Sequence, residues 1–534
     1  MNKLLLLLLP YATFAQTQCA ERVSFTPVNV PNRVEWTKFP LFSLPDSFTL
    51  IYGGPRLMGD ASGPLTHGFT HQTQPRPEEN TQPRQRALEY SGFVYGLNQP
   101  WETLESPWGN DLTLYRAKWT AWLRDQSGGN TNAAGQFVLP AEVLMVDIER
   151  VLETDAAILK LKQNTAIAAT YRNLSDALFL QQYKRDMTTL YATGLRFLRE
   201  KADLSRTKLS TYSDVPIRNA YANVVANSWA DWTTNPTRLS FLTTDSTGQR
   251  LGGPFYDQLD FLSPSSYYYY DYPNPLAPDF LAYSLFQVEA NRAWSSRVAF
   301  SKPVLPFVWM RFHECCGNNP NFIPANMAEA TAIFPFFAGA KGLWFWDQLN
   351  LSTTRQDVHA AYEQFIHGLY RLSQFKQQFT GNYELVAETS ARDLMDARKP
   401  VWRGVFNQNQ LLVAAHNPYA IEGQITMVPV SYKSWQGSIT LTGREIALCQ
   451  YDLSLLATES PALPDLKVYP NPAQNQLTVE TIRPGPVQLI DLQGRILRRI
   501  PNISGSLRLD ISTLPAGLYL IRSGGVTKQI IVEK

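Results

Sequence analysis

The chain has 534 residues, too many for one ordinary core, so two to four domains are expected. Its 48 basic residues nearly balance 46 acidic ones, for a formal net charge of +2, and nothing in that balance suggests a nucleic-acid partner, which would want a concentrated basic patch. Charged residues make up 18% but aromatics reach 12%, and such flat amphipathic rings suit both cores and sugar-binding clefts, favouring a neutral or mildly polar ligand.

Residues 1–15 combine Lys3, the apolar run Leu4 to Leu9 and Thr13-Phe14-Ala15 before Gln16, the pattern of a secretory signal peptide. That run is too short to span a bilayer, and no later stretch offers the roughly 20 apolar residues of a transmembrane helix. Cys19 follows closely, but Thr17-Gln18 is not the small-residue sequence that precedes a lipidated cysteine. Residues 16–45, with Pro27, Pro31, Pro40 and Pro45, read as an extended lead-in, and Phe48 to Tyr52 before Gly53-Gly54-Pro55 reads as a first barrel strand. Gly63 to Arg86, rich in Gly, Pro, Thr and Gln and holding His67 and His71, is expected to be a long surface loop, with Phe93-Val94-Tyr95 the next strand. Asn110-Asp111 caps a helix through Arg124, on which Leu112, Tyr115, Trp119, Trp122 and Leu123 recur at helical spacing as a core stripe.

Val143-Leu144-Met145-Val146-Asp147-Ile148-Glu149 follows a turn-prone stretch and reads as a buried parallel strand ending in two carboxylates. Strand alternation puts Met145, Asp147 and Glu149 on one face, with the two acids roughly 6.5 Å apart along the backbone. Barrel enzymes place catalytic groups at C-terminal strand ends, and neighbouring carboxylates split into one acid and one base, which is glycosidase chemistry in outline. The plainer alternative is that the acids cap a helix or pair with a nearby Arg such as Arg150.

Helices are then expected over Glu153 to Gln163 and Leu178 to Ala202, and a strand over Lys208 to Asp214. Next come a strand ending at Phe261-Leu262, a helix from Ala282 to Phe300, a strand from Pro303 to Trp309, a helix from Ala325 to Ala338 and a strand from Gly342 to Asp347. This alternation predicts an α/β fold, a TIM-like (β/α) barrel over residues 46–379. Val401 to Val405, Gln410 to Ala414, Ile425 to Val430, Ser438 to Leu441 and Ile446 to Gln450 predict a small antiparallel β domain over 380–457, with a Pro-containing linker at 458–466.

Four cysteines, Cys19, Cys315, Cys316 and Cys449, allow three pairings, and the sequence does not choose among them. His313-Glu314 beside Cys315-Cys316 invites a metal-site reading. The six histidines are nevertheless scattered and no zinc-type spacing occurs, so a loop motif is expected, with no metal and no cofactor. No nucleotide loop, serine-hydrolase elbow or metalloprotease helix motif points to another enzyme class.

Residues 467–534 carry Tyr469-Pro470-Asn471-Pro472, then Asp491-Leu492-Gln493-Gly494-Arg495, then Leu514-Pro515-Ala516-Gly517-Leu518-Tyr519. In that order these closely resemble the type A C-terminal sorting domain of the type IX secretion system. The resemblance implies a C-terminal β-sandwich, engagement with that secretion machinery, and export to the cell surface or the medium.

Asn110 to Asp347 resembles the hyaluronidase family of glycoside hydrolases. The matching stretches are Val146-Asp147-Ile148-Glu149, the helix Tyr183 to Lys201 followed by the Tyr212 strand, and Ser263-Pro264-Ser265-Ser266-Tyr267. Glu289-Ala290-Asn291-Arg292, Pro303-Val304-Leu305-Pro306 and Gly342 to Trp346 continue the series. The resemblance implies Glu149 as general acid and later base, and Asp147 as the residue that orients the N-acetyl group of the substrate while it attacks the anomeric carbon. It also implies Tyr267 hydrogen-bonding nearby and Trp346 stacking on a sugar ring, while Tyr212, Asp214 and Asp347, near predicted strand ends, are candidates for hydroxyl binding. The family's basic residue falls on Phe286 and its Trp-containing sequence on Arg150-Val151-Leu152, so the reaction class is implied and hyaluronan itself is not. Two other readings stand beside it. One is a conventional two-carboxylate glycosidase that uses Asp214, Asp271 or Asp347, and the other is an inactive surface glycan-binding or adhesive protein.

Overall fold

A computed structural model describes residues 17–19, 25–27, 34–54, 62–73, 81–94, 96, 98–103, 105–150, 152–218, 221–313, 321–347, 359–454, 466–491, 495–523 and 526–534. The expected signal peptide, Cys315-Cys316 and most of the expected linker lie outside these residues. The chain divides into two compact units, Met1–Tyr451 and Asp452–Lys534.

The first unit is built on seven parallel strands, β1 (Thr49–Gly53), β2 (His71–Thr73), β3 (Arg86–Tyr90), β4 (Val143–Val146), β5 (Lys208–Thr211), β6 (Phe307–Val308) and β7 (Gly342–Trp346). Their spatial order is β5-β4-β3-β2-β1-β7-β6. Segment 262–265 closes the ring through parallel bridges, Ser263 to Tyr212 on the β5 side, and Leu262 to Val304 and Ser265 to Phe307 on the β6 side. The result is a (β/α) barrel with a filled interior. Ile51, Ala87, Val143, Met145, Phe307 and Trp344 pack inside, whereas Leu50, Tyr52, Leu144, Val146 and Leu209 belong to the larger core beneath the helices. The period of two along each strand produces this division, because successive side chains leave the sheet on opposite faces.

Helices Thr113–Gln126, Asp176–Lys201, Phe280–Ser295, Ala325–Phe337 and Ala360–Ser373 lie between or after the strands. Ser175 caps the longest by accepting from the backbone N–H of Leu178, and the Asp111 carboxylate accepts from Thr113 at 2.9 Å.

Two expectations are corrected near the start. Phe93 and Val94 are not strand: Ser91–Phe93 is a single tight turn, with the Phe93 ring buried against Trp101 and Trp119 at 5.4 and 4.8 Å. Tyr95 lies outside the described residues, and the true strand is Arg86–Tyr90. The expected loop from Gly63 to Arg86 contains an interior stave, His71–Thr73, and both His67 and His71 are buried. Strands this short carry almost no periodic signal, and turn-forming neighbours hide what little there is.

Antiparallel sheets follow the barrel. Glu384–Val386, Val401–Asn407, Gln410–His416 and Ile446–Asp452 form one sheet, and Ile425–Tyr432 pairs with Trp435–Thr442. The N-terminal strand Thr17–Cys19 joins the first of these sheets, where Cys19 forms a disulfide with Cys449. Arg403, 1% exposed, pairs with Glu289 of helix Phe280–Ser295 at 2.7 Å, which ties that sheet to the barrel by a charge pair too buried to be left half-made. No helix among the described residues is long and apolar enough to cross a membrane.

The second unit is an antiparallel sheet of five strands folded around Leu477, Val479, Leu489, Leu509, Ile521 and Ile530. Its motif residues do structural work. The Asn471 side chain accepts from the Ile531 N–H at 2.8 Å and donates to the Gln529 carbonyl at 3.0 Å. Asp491 accepts from the backbone and guanidinium of Arg495, and the Tyr519 hydroxyl donates to the Pro515 carbonyl.

Candidate active site

β4 stops at Val146, and Asp147 continues its inward alternation, its N–H held by the Tyr90 carbonyl at 3.4 Å. Ile148 turns into the helical core. Glu149 then takes a left-handed conformation, φ +51°, which ends the strand alternation. A non-glycine residue there carries strain of about 1 kcal/mol or more, of the kind that collects at functional sites. On the next stave Tyr212 donates its N–H to the Val146 carbonyl, and Ser213 repeats the left-handed turn at φ +61°.

A cavity of about 230 Å³ opens at this end of the barrel. Three carboxylates line it, Glu89, Asp147 and Glu149, together with Tyr212, Tyr267, Phe307, Trp309, Trp346 and His313. Glu89 lies late in β3, Trp346 ends β7 and Trp309 follows β6, so the site belongs to the C-terminal face where barrel enzymes work. Trp346 stacks against Tyr267 at 5.8 Å and meets Trp309 edge-on at 5.0 Å. The Tyr212 hydroxyl donates to Ser265 Oγ at 3.1 Å.

Burial pushes the Glu89 carboxyl up to about 7, with the Glu149 charge adding to the shift. Burial, then Glu149, Glu89 and Asp214, push Asp147 far above the usual carboxylate range. Glu149 is exposed at the cavity mouth yet flanked by protein, and desolvation raises it against the opposing pull of Arg218. Among the described residues, Asp147 Oδ1 is buried without a hydrogen-bond partner. The environment thus holds protons on carboxyls near neutral pH, as acid/base chemistry requires.

Of the residues singled out from the sequence, Asp147, Glu149, Tyr212, Tyr267 and Trp346 converge on this cavity. Asp214 and Asp347 do not line it. Asp214, 1% exposed, lies behind it with Arg218 at 3.5 Å, and burial pushes it up to about 6. Asp347 accepts from Trp309 Nε1 at 2.9 Å and the Tyr362 hydroxyl at 2.6 Å, with Arg311 at 3.7 Å. Arg150 is not the partner of the acids, because its guanidinium donates to the Trp101 carbonyl. Sequence reasoning missed Glu89, Phe307, Trp309 and His313 as lining residues. Once β3 is placed at 86–90, alternation from Ala87 puts Glu89 inward, so the signal for it was present. Among the described residues no group of three His, Cys, Asp or Glu side chains is arranged to hold a metal ion.

Residues 467–534 match the family described as secretion system C-terminal sorting domain, so the chain carries a sorting domain and is marked for export. No curated protein matches the chain in sequence. Among solved structures, bee venom hyaluronidase is similar at 13% identity over 49% of this chain and 78% of its own, with a TM-score of 0.34. AmyP in complex with maltose aligns at 8% identity over 75% of this chain and 85% of its own (TM-score 0.31), and SrfJ from Salmonella typhimurium at 11% over 76% and 79% (TM-score 0.31).

Proposed function

We propose that the chain is an exported glycoside hydrolase that cleaves an N-acetylhexosamine-containing glycan with help from the substrate's own acetamide. The observation that carries this reading is the meeting of Asp147 and Glu149 in one ring-lined cavity at the C-terminal mouth of the barrel. Glu149, reachable at the mouth, gives its proton to the glycosidic oxygen as the C1–O bond breaks. The acetamide oxygen attacks C1 from the other face, and Asp147 Oδ1, which has no partner among the described residues, accepts the acetamide N–H. Water then attacks C1 of the cyclic intermediate and returns a proton to Glu149, so the anomeric configuration is retained. Trp346 and Tyr267 offer a stacking face, and Tyr212 a hydroxyl.

Glu89 favours a second reading, a conventional glycosidase in which it and Glu149 act as the pair from adjacent strands. The full chain and Glu149→Gln are incubated with N-acetylated and non-acetylated polysaccharides, and new reducing ends are followed by mass spectrometry. Cleavage confined to N-acetylated polymers and abolished by the substitution supports the assisted mechanism. Cleavage of polymers without N-acetyl groups supports the second reading, and equal activity of both proteins overturns the role of Glu149.

A further inference from the structure

We propose that Arg218 is the positioning residue of Glu149: one guanidinium ties the chain just past that acid to the loop after β5, with Asp214 as its counter-charge. The proposal deepens the hydrolase reading and rests on it for the role of Glu149.

Geometry carries it. Glu149 and Ser213 are both left-handed, and the residues that follow them, Arg150 and Asp214, are the two that Arg218 holds. Its Nη2 donates to the Arg150 carbonyl at 2.7 Å and lies 3.5 Å from Asp214 Oδ1. Left-handed non-glycine residues persist only where their surroundings over-determine them, and this clamp joins two such turns on paired staves. Arg150 is fixed at its other end as well, because its guanidinium donates to the Trp101 carbonyl. Arg218 is itself anchored. Ile217, the residue before it, donates its N–H to Asn291 Oδ1 at 2.8 Å and accepts from Asn291 Nδ2 at 3.1 Å. Asn291 is fully buried on helix Phe280–Ser295, so a third element holds the arginine in place.

Charge gives the clamp a second effect. Asp214 is buried, and neither of its oxygens has a hydrogen-bond partner among the described residues, which leaves Arg218 as its described ion-pair partner. Burial raises both Asp214 and Glu149 and Arg218 opposes it in both, so two acids draw on one cation. The other ionisable groups around them are Glu89, Asp147, Tyr212 and Tyr267 on the cavity side, with Arg150 and Tyr191 behind. Removing Asp214 leaves the cation to Glu149 alone, whereas removing Arg218 takes away the charge that opposes the burial of Glu149. The two substitutions therefore push the proton affinity of Glu149 in opposite directions. A merely structural role would loosen the site in both and give no such reversal.

The test reads Glu149 directly and needs no turnover. A water-soluble carbodiimide with glycinamide labels protonated carboxyls, and labelling of Glu149 in the full chain is followed against pH by peptide mass spectrometry. The parent, Arg218→Gln, Arg218→Lys and Asp214→Asn are compared, with thermal melts to confirm folding. At about one pH unit above the parent's midpoint, labelling should rise about threefold or more in Arg218→Gln and fall about threefold or more in Asp214→Asn. Arg218→Lys, which keeps the charge, should stay within about twofold of the parent. Where the chain cleaves a polymer, Arg218→Gln should also lower kcat about tenfold or more with KM within about twofold, and move the alkaline limb of the profile to higher pH. An unchanged labelling curve in either folded variant, shifts of the same sign in both, or an unchanged kcat overturns the proposal. If Arg218→Gln does not fold, the fall in Asp214→Asn decides alone. Opposite shifts in a chain that cleaves no polymer would refute the hydrolase reading and leave the hold of Arg218 on Glu149 standing.

Discussion

β4 and β7 each hand the chain to an aspartate one residue past the strand, Asp147 and Asp347, and the two have opposite surroundings. Asp347 is satisfied, with Trp309 and Tyr362 donating to its two oxygens and Arg311 close by. Asp147 has a buried oxygen with no partner among the described residues and stands among Glu89, Glu149 and Asp214. A buried carboxylate whose hydrogen bonds are complete is part of the framework. One left incomplete is costly to the fold, and where it borders a cavity it is a place that a ligand can complete. Among the described contacts Asp347 holds the Trp309 indole that lines the cavity, whereas Asp147 lines the cavity itself.

The sharpest way to break this comparison is at the mouth of the Asp147 side. Glu149→Gln should lower cleavage of an N-acetylated polysaccharide about thousandfold with an unchanged melting temperature, measured by reducing-end release. Activity within tenfold of the parent would remove the chemical half of the contrast. On the framework side, Asp347→Ala should cost about 3 kcal/mol or more in denaturant unfolding, because it removes the acceptor of the buried Trp309 N–H and Tyr362 hydroxyl. Unchanged stability with lost sugar binding would turn Asp347 back into a ligand residue.

Glu89 sharpens the contrast through pH. Its folded value of about 7 lies above the ordinary 4.5, so between these the folded state holds the extra proton and rising pH removes stability. The cost is absent below about 4.5 and complete above about 7. Glu89→Gln should accordingly be more stable than the parent by about 1–3 kcal/mol at pH 8, after allowance for screening, and equal to it at pH 4, by thermal melts. A gap that grows toward acid pH would contradict the assignment. The smallest effect is expected for Tyr212→Phe, which removes one hydrogen bond to Ser265, about 1 kcal/mol of stability, and leaves measurable cleavage. Complete loss of activity would promote Tyr212 from the cavity wall to the reaction.

Legibility in the sequence followed signal length. The long helix Asp176–Lys201, the apolar run of β4 and the Gly-x-Trp-Phe-Trp strand β7 were all readable, and with the two strands came Asp147, Glu149 and Trp346 as candidates, whereas Tyr267 came from the resemblance and Tyr212 from its place near a predicted strand end. Misplacing β3 at Phe93 hid Glu89, because a five-residue strand opening on Arg86 looks like the end of a loop. Asp214 and Asp347 sit beside predicted strand ends as expected, but proximity to a strand end does not reveal whether a carboxylate points at a cavity or at an Arg and a Trp.

The sequence by itself determined the alternating architecture, the paired acids after β4 and the sorting tail, because strand period, turn chemistry and the tail motifs are local properties of the chain. Only the tertiary structure decided that segment 262–265 closes the ring and that Cys19 meets Cys449. It also decided that Glu89 joins Asp147 while Asp347 is drawn away to Trp309. Each of those outcomes depends on which distant segments pack together and on which buried polar groups find partners there, and neither is written in the spacing of neighbouring residues.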